Sequence, residues 1–251
     1  PVIFPLQQPL TNQYYLVRAG ESVDIATDRV ATNPADKVDM NIHGLTKQGV
    51  FQMHAVAKQL KEWEKANAST STSTSTSTST TDSASQSKRP MYLWPSQSIQ
   101  CLQSADILVN DLGLARSNLV PELELLDSRK LGEFEGKKLS ASLKAIDEFD
   151  RIDASWKPSG SRSGAGDATA ASESLQDVQL RVRQLISKTE GMYTNVDVII
   201  VAPDSFTLAV LQSSLEDKTL RGQADLSFQP GEIRKITPVV RKPPAVPVVP
   251  L

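Results

Sequence analysis

Residues 196–202, Val-Asp-Val-Ile-Ile-Val-Ala, are the most hydrophobic strand-like run of this 251-residue chain. Residues 13–17, Gln-Tyr-Tyr-Leu-Val, are equally short and β-prone, and no polar residue alternates with the apolar ones. Runs of that kind read as parallel strands buried on both faces. Residues 91–94 and 121–126 read as further strands, and 232–237 as a last one after the Pro230-Gly231 turn.

Between these runs the period changes to that of a helix. Thr46 is a plausible N-cap for a helix whose stripe is Val50, Met53, Ala57 and Leu60, ending near residues 63–65. Residues 99–109, 174–188 and 206–215 read as helices. The second of these carries Leu175, Val178, Val182 and Leu185, with Ser172 or Ser174 as cap. Strands alternating with helices imply a three-layer α/β fold, a mainly parallel central sheet with helices on both faces.

Three stretches do not fit that scheme. Residues 66–90 are dominated by alternating Ser and Thr, which bury too little apolar surface to offset the entropy of ordering them. Residues 157–172 are rich in Ser and Gly, and 238–251 form a Pro-rich tail suited to polyproline II. The expectation is a single domain over 1–237 carrying two insertions, with 238–251 as a tail.

Bulk properties remove several function classes. Net charge is -2 and no basic stripe occurs, so the footprint of a nucleic-acid binder is missing; Lys88-Arg89 reads as a solvated pair. The single cysteine, Cys101, rules out an internal disulfide and reads as a buried thiol. No run is long and apolar enough for a membrane span. One cysteine and two histidines, His43 and His54, make no recognisable metal site, and no cofactor is implied. The chain starts at Pro1 without a secretory h-region, so an intracellular setting, cytoplasmic or mitochondrial, is expected.

Six motifs carry a resemblance. Leu16-Val17-Arg18-Ala19-Gly20-Glu21-Ser22 resembles Leu-Val-Arg-His-Gly-Glu-Ser, the signature of the histidine phosphatase (phosphoglycerate-mutase-like) superfamily. Leu45-Thr46-Lys47-Gln48-Gly49, the segment 96–108, the turn Gly132-Glu133-Phe134-Glu135-Gly136, the segment 173–182 and the segment 198–212 resemble that family's later motifs, in its order. The family transfers a phosphoryl group to a histidine, held by two arginines and a second histidine, while a carboxylic acid protonates the leaving oxygen.

At those positions the resemblance implies a degenerate member. Arg18 matches the first arginine. Ala19 stands where the nucleophile would be, Gln100 where the second arginine would be and Ser128 where the acid would be; the second histidine falls on Asp204 when the match is anchored on Thr207-Leu208 and Leu211-Gln212, or on Pro203 when it is anchored on the strand. Asp127 should face away if its strand continues. Neither histidine follows a strand: His43 reads as an ordinary turn residue and His54 as a helix residue. Glu122 and Glu124 share one strand face and read as solvated.

The resemblance therefore implies a pseudoenzyme acting as an interaction subunit with protein partners. One alternative is a sensor that binds a small phosphorylated ligand through Arg18, a residual anion-binding arginine. Another is a phosphatase or mutase with relocated chemistry, Asp204 being the nucleophile. Arg18 is expected to pair with Asp204 and so fill the pocket.

Overall fold

A computed structural model describes residues 10–70, 89–160 and 172–239, with the side chains of 67–70 left aside. The greater part of the Ser-Thr tract, most of the Ser-Gly loop and the Pro-rich tail lie outside the described residues.

The strands β1 (Gln13–Arg18), β2 (Met91–Pro95), β3 (Asp197–Ala202) and β4 (Ile233–Ile236) form one sheet in the order β2-β3-β1-β4. β1 and β2 each pair with β3 in parallel, while β4 closes the other edge antiparallel to β1. β3 therefore lies inside the sheet, as its apolar character predicts.

Two cores flank the sheet, because alternate residues of a strand face opposite ways. On one face Tyr15, Val17, Ile199 and Val201 pack with Met53, Val56 and Leu60 of α3 (Lys47–Thr70) and Cys101, Ala105 and Leu108 of α4 (Ile99–Leu112). On the other, Tyr14, Leu16, Val198 and Ile200 pack with Val178, Val182 and Leu185 of α6 (Leu175–Met192) and Leu208 and Leu211 of α7 (Ser205–Leu215). The short helices α1 (Val23–Ala26) and α2 (Met40–His43) follow β1, and α5 (Leu139–Ile152) precedes α6.

The caps agree with the sequence. Thr46 Oγ1 accepts the Gly49 N–H at 3.0 Å, and Ser174 forms a capping box with Asp177 at the start of α6. The predicted strand at 121–126 does not form. The segment runs beside the end of β2 through two isolated parallel bridges, Leu93 with Leu119 and Ser96 with Glu122. Val120 and Glu122 donate to the Leu93 and Pro95 carbonyls at 2.8 Å each, but Pro95 has no N–H to return, so a continuous ladder does not grow there. α3 runs on to Thr70, past the end expected at 63–65, and α5 was not expected at all. No helix of the described residues is long and apolar enough to cross a membrane.

Candidate functional site

The parallel strands all end at one edge, where ligands bind in open α/β sheets. β1 ends at Arg18 and leads to Ala19, which is 1% exposed. The Ala19 N–H donates to the Ala202 carbonyl at 3.0 Å, and the Gly231 N–H is shared by the Arg18 and Ala19 carbonyls, 3.2 Å from each. β3 leads through Pro203 to Asp204, the N-cap of α7, and β2 leads to Ser98, the N-cap of α4.

Both helix N-termini at this edge are occupied by the chain itself. Asp204 Oδ2 accepts the Thr207 N–H at 3.3 Å and the Arg129 N–H at 3.4 Å. At α4 the Ile99 N–H donates to the Lys37 carbonyl at 2.8 Å, and the Lys37 ammonium is held by Asp127 at 2.9 Å. Gln100 is buried; its Nε2 donates to the Pro203 carbonyl at 3.5 Å and its Oε1 has no partner. What is left between these groups is a cavity of about 20 Å³, lined by Lys37, His43, Ser98, Gln100, Asp127 and Ser128. A void of that size holds about one water.

Arg18 is turned elsewhere. Its Nη1 donates to the Phe228 carbonyl at 2.6 Å, and its Nε is buried without a partner. Burial pulls the guanidinium down from the usual arginine value, opposed at longer range by Asp204, Asp24 and Glu232. The expected Arg18–Asp204 salt bridge does not form: Asp204 is engaged as a helix cap, and among the described residues no carboxylate lies within ion-pair distance of Arg18. Arg18 lines a separate cleft of about 390 Å³.

Three further expectations need correcting. Asp127 does not face away, because its strand never forms; it lines the small cavity, and burial pushes its carboxyl up in spite of two Lys37 hydrogen bonds. Glu122 is not solvated: it is 5% exposed and accepts from Lys188 at 2.7 Å. His43 is not an ordinary turn residue. It is buried at the end of α2 with Nδ1 3.6 Å from Asp24 Oδ1, and it borders the cavity of Gln100 and Ser128. His54 sits on α3, where its Nδ1 meets Asp111 at 2.6 Å.

The structure thus brings Gln100 and Ser128 to one cavity, sets Ala19 and Asp204 at neighbouring strand ends, and leaves Arg18 in another opening. Sequence reasoning missed Arg129, which is fully buried beside Ser128. It forms a bidentate pair with Asp150 at 2.5 and 3.0 Å and donates through Nε to the Glu173 carbonyl at 2.9 Å. An arginine next to a candidate site residue was the available signal. Among the described residues no group of three or more His, Cys, Asp or Glu side chains could hold a metal ion.

No protein-family model and no curated relative matches the chain. Solved structures do share its fold. A mycobacterial glucosyl-3-phosphoglycerate phosphatase, solved with VO3, is 18% identical over 85% of this chain and 86% of its own, with a TM-score of 0.57. The product of an open reading frame from Mycobacterium tuberculosis is 16% identical over 88% and 89%, TM-score 0.57. A protein from Escherichia coli, described as a candidate alpha-ribazole-5'-P phosphatase, is 13% identical over 88% of each chain, TM-score 0.56. The architecture of this chain is therefore the phosphoglycerate-mutase-like α/β fold.

Proposed function

We propose that this chain keeps a phosphatase fold without phosphatase chemistry and acts as an interaction subunit of a larger assembly. The observation that carries the reading is the self-filled sheet edge. In the family it resembles, the ends of β1 and β3 would each present an imidazole; here they present the Ala19 methyl and the Asp204 carboxylate. A methyl cannot accept a phosphoryl group. A carboxylate already capping α7 repels a phosphate instead of cradling it. The Gln100 amide brings no positive charge in place of a guanidinium, and the Ser128 hydroxyl is no acid. The interaction role is supported by apolar groups left at the surface, notably Ile152, 74% exposed, beside Phe149, which stacks on Trp156 at 4.6 Å.

One observation favours a second reading, a sensor for a phosphorylated ligand: Arg18 is a largely desolvated cation with no ion-pair partner among the described residues. Binding of a phosphomonoester without turnover is its signature.

The test is hydrolysis of p-nitrophenyl phosphate by the full chain and by Ala19→His. Both are expected at the buffer rate, because the variant still lacks a second histidine, a second clamp arginine and a proton donor. Turnover by the wild-type chain, abolished by Arg18→Ala, sinks the proposal. The interaction role is checked separately, by purifying the native protein and identifying what stays bound. Repeated recovery as a free monomer counts against it.

A further inference from the structure

The cleft beside Arg18 has walls of Ile25, Leu139, Leu143, Phe206 and Phe228. Its volume of about 390 Å³ falls within the range of about 300–1,000 Å³ usual for small-molecule sites. None of the side chains that line the 20 Å³ cavity belongs to it. Of the Arg18 nitrogens, Nη1 is bonded to the Phe228 carbonyl and Nε is buried without a partner. Nη2 makes no hydrogen bond among the described residues. A partly buried guanidinium with donors to spare, set beside these apolar side chains, offers an anion with an apolar body both a charge partner and a wall.

We propose that this cleft binds a small organic monoanion with an apolar body, an aryl carboxylate in its simplest form. The carboxylate meets Arg18 and the ring lies among Leu139, Leu143, Phe206 and Phe228. The planar guanidinium fork fits the two carboxylate oxygens. Charge decides for a single negative group: Asp28 and Asp147 also line the cleft, and Asp204, Asp24 and Glu232 act on Arg18 from further off. A doubly charged phosphomonoester would face that acidic surround with one cation as its counterion. Among the residues that line the cleft, Arg18 is the one positively charged group. The inference shares Arg18 with the phosphorylated-ligand reading but takes its apolar wall from α5 and the segment before β4, and the phosphate arm of the test separates the two.

The experiment is isothermal titration of the full chain with 2-naphthoate, with the neutral 2-naphthalenemethanol and with inorganic phosphate. Saturable binding of naphthoate is expected, at least about tenfold tighter than the alcohol, the ratio a charge-assisted hydrogen bond supplies. Phosphate is expected to bind more weakly than naphthoate. Arg18→Gln should weaken naphthoate binding at least about tenfold by the same argument. Leu143→Trp, at a 39% exposed position where folding tolerates the change, should weaken it comparably by filling the cleft. Circular dichroism melts establish that each variant is folded. Absence of saturable naphthoate binding overturns the proposal, as do equal affinities for acid and alcohol. So does a folded Leu143→Trp that binds as the wild type does. Phosphate binding tighter than naphthoate also overturns it and supports the phosphorylated-ligand reading instead.

Discussion

Arg129 is fully buried, and its guanidinium is satisfied on every side: two bonds to Asp150, one to the Glu173 carbonyl, and the Phe206 ring with its centroid 5.1 Å away. Its own N–H reaches Asp204, so this residue ties α5 to the start of α7. Arg18 is the opposite case, a cation with one carbonyl partner facing an open cleft. The contrast predicts different mutational responses. Asp150→Ala strands the Arg129 charge in the interior and should cost about 3–5 kcal/mol, whereas Arg129→Met with Asp150→Leu, which removes both charges, should cost clearly less. Urea denaturation measures both. Equal losses in the single and double variants would mean that the pair contributes through packing and not through charge. In the sequence the two residues stand 21 positions apart with no pattern linking them. The pair was hidden because long-range charge pairing leaves no periodic trace. The positions Ala19, Gln100, Ser128 and Asp204 could be singled out because each is tied to a local motif, but which groups fill the space around them could not.

At the level of elements, the loop after β1 crosses the start of α3 with backbone nearly touching backbone. A Cβ added at Gly20 would stand 2.3 Å from the Gly49 carbonyl oxygen, and one at Gly49 would stand 2.2 Å from that of Glu21. Both glycines lie in motifs legible in the sequence, yet their mutual contact emerges only in the fold. Gly49→Ala should raise helix propensity in isolation and still destabilise the protein by about 1–3 kcal/mol, because rigid backbone has to move. A thermal melt shows which effect wins, and an unchanged or raised Tm would mean that the crossing is slack. The same scale shows why some elements were misread. Residues 121–126 have strand composition, but Pro95 of β2 faces them with no N–H to give, so β-propensity lost to a missing donor. α5 has an apolar stripe at Leu139, Leu143 and Ile146 that helical spacing could have revealed. α3 outlasts its apolar stripe, since a helix already nucleated extends at little cost into residues of middling propensity.

For the whole molecule, the order of layers was legible because buried parallel strands and amphipathic helices differ in period. The edge that closes the sheet and the filling of its C-terminal end were not, since both depend on contacts between distant segments. One property belongs to the molecule as a whole, its response to acid. Asp127 and Asp197 are held above the usual aspartate range, chiefly because burial disfavours their charge. A raised carboxyl contributes stability that is complete below its unfolded value, about 3.9, and is lost as pH rises through its folded value. Asp177 works the other way. Burial opposes its ionisation, but hydrogen bonds from Lys157 and Ser174 hold it below the usual range, so its contribution is lost as pH falls through its folded value. The exposed Asp28 and Asp153 share that sign, through Ser140 and Ser155, and as solvent-screened groups they add little. The buried set should prevail at mild acidity, so Tm is expected to hold level or rise as pH falls from neutrality and to fall only near the ordinary carboxyl range. Asp197→Asn removes one member: it should raise Tm at neutral pH and diminish the gain on acidification. A wild-type Tm that declines steadily from neutrality, with Asp197→Asn running parallel to it, would mean that solvated, hydrogen-bonded carboxylates govern the acid response instead.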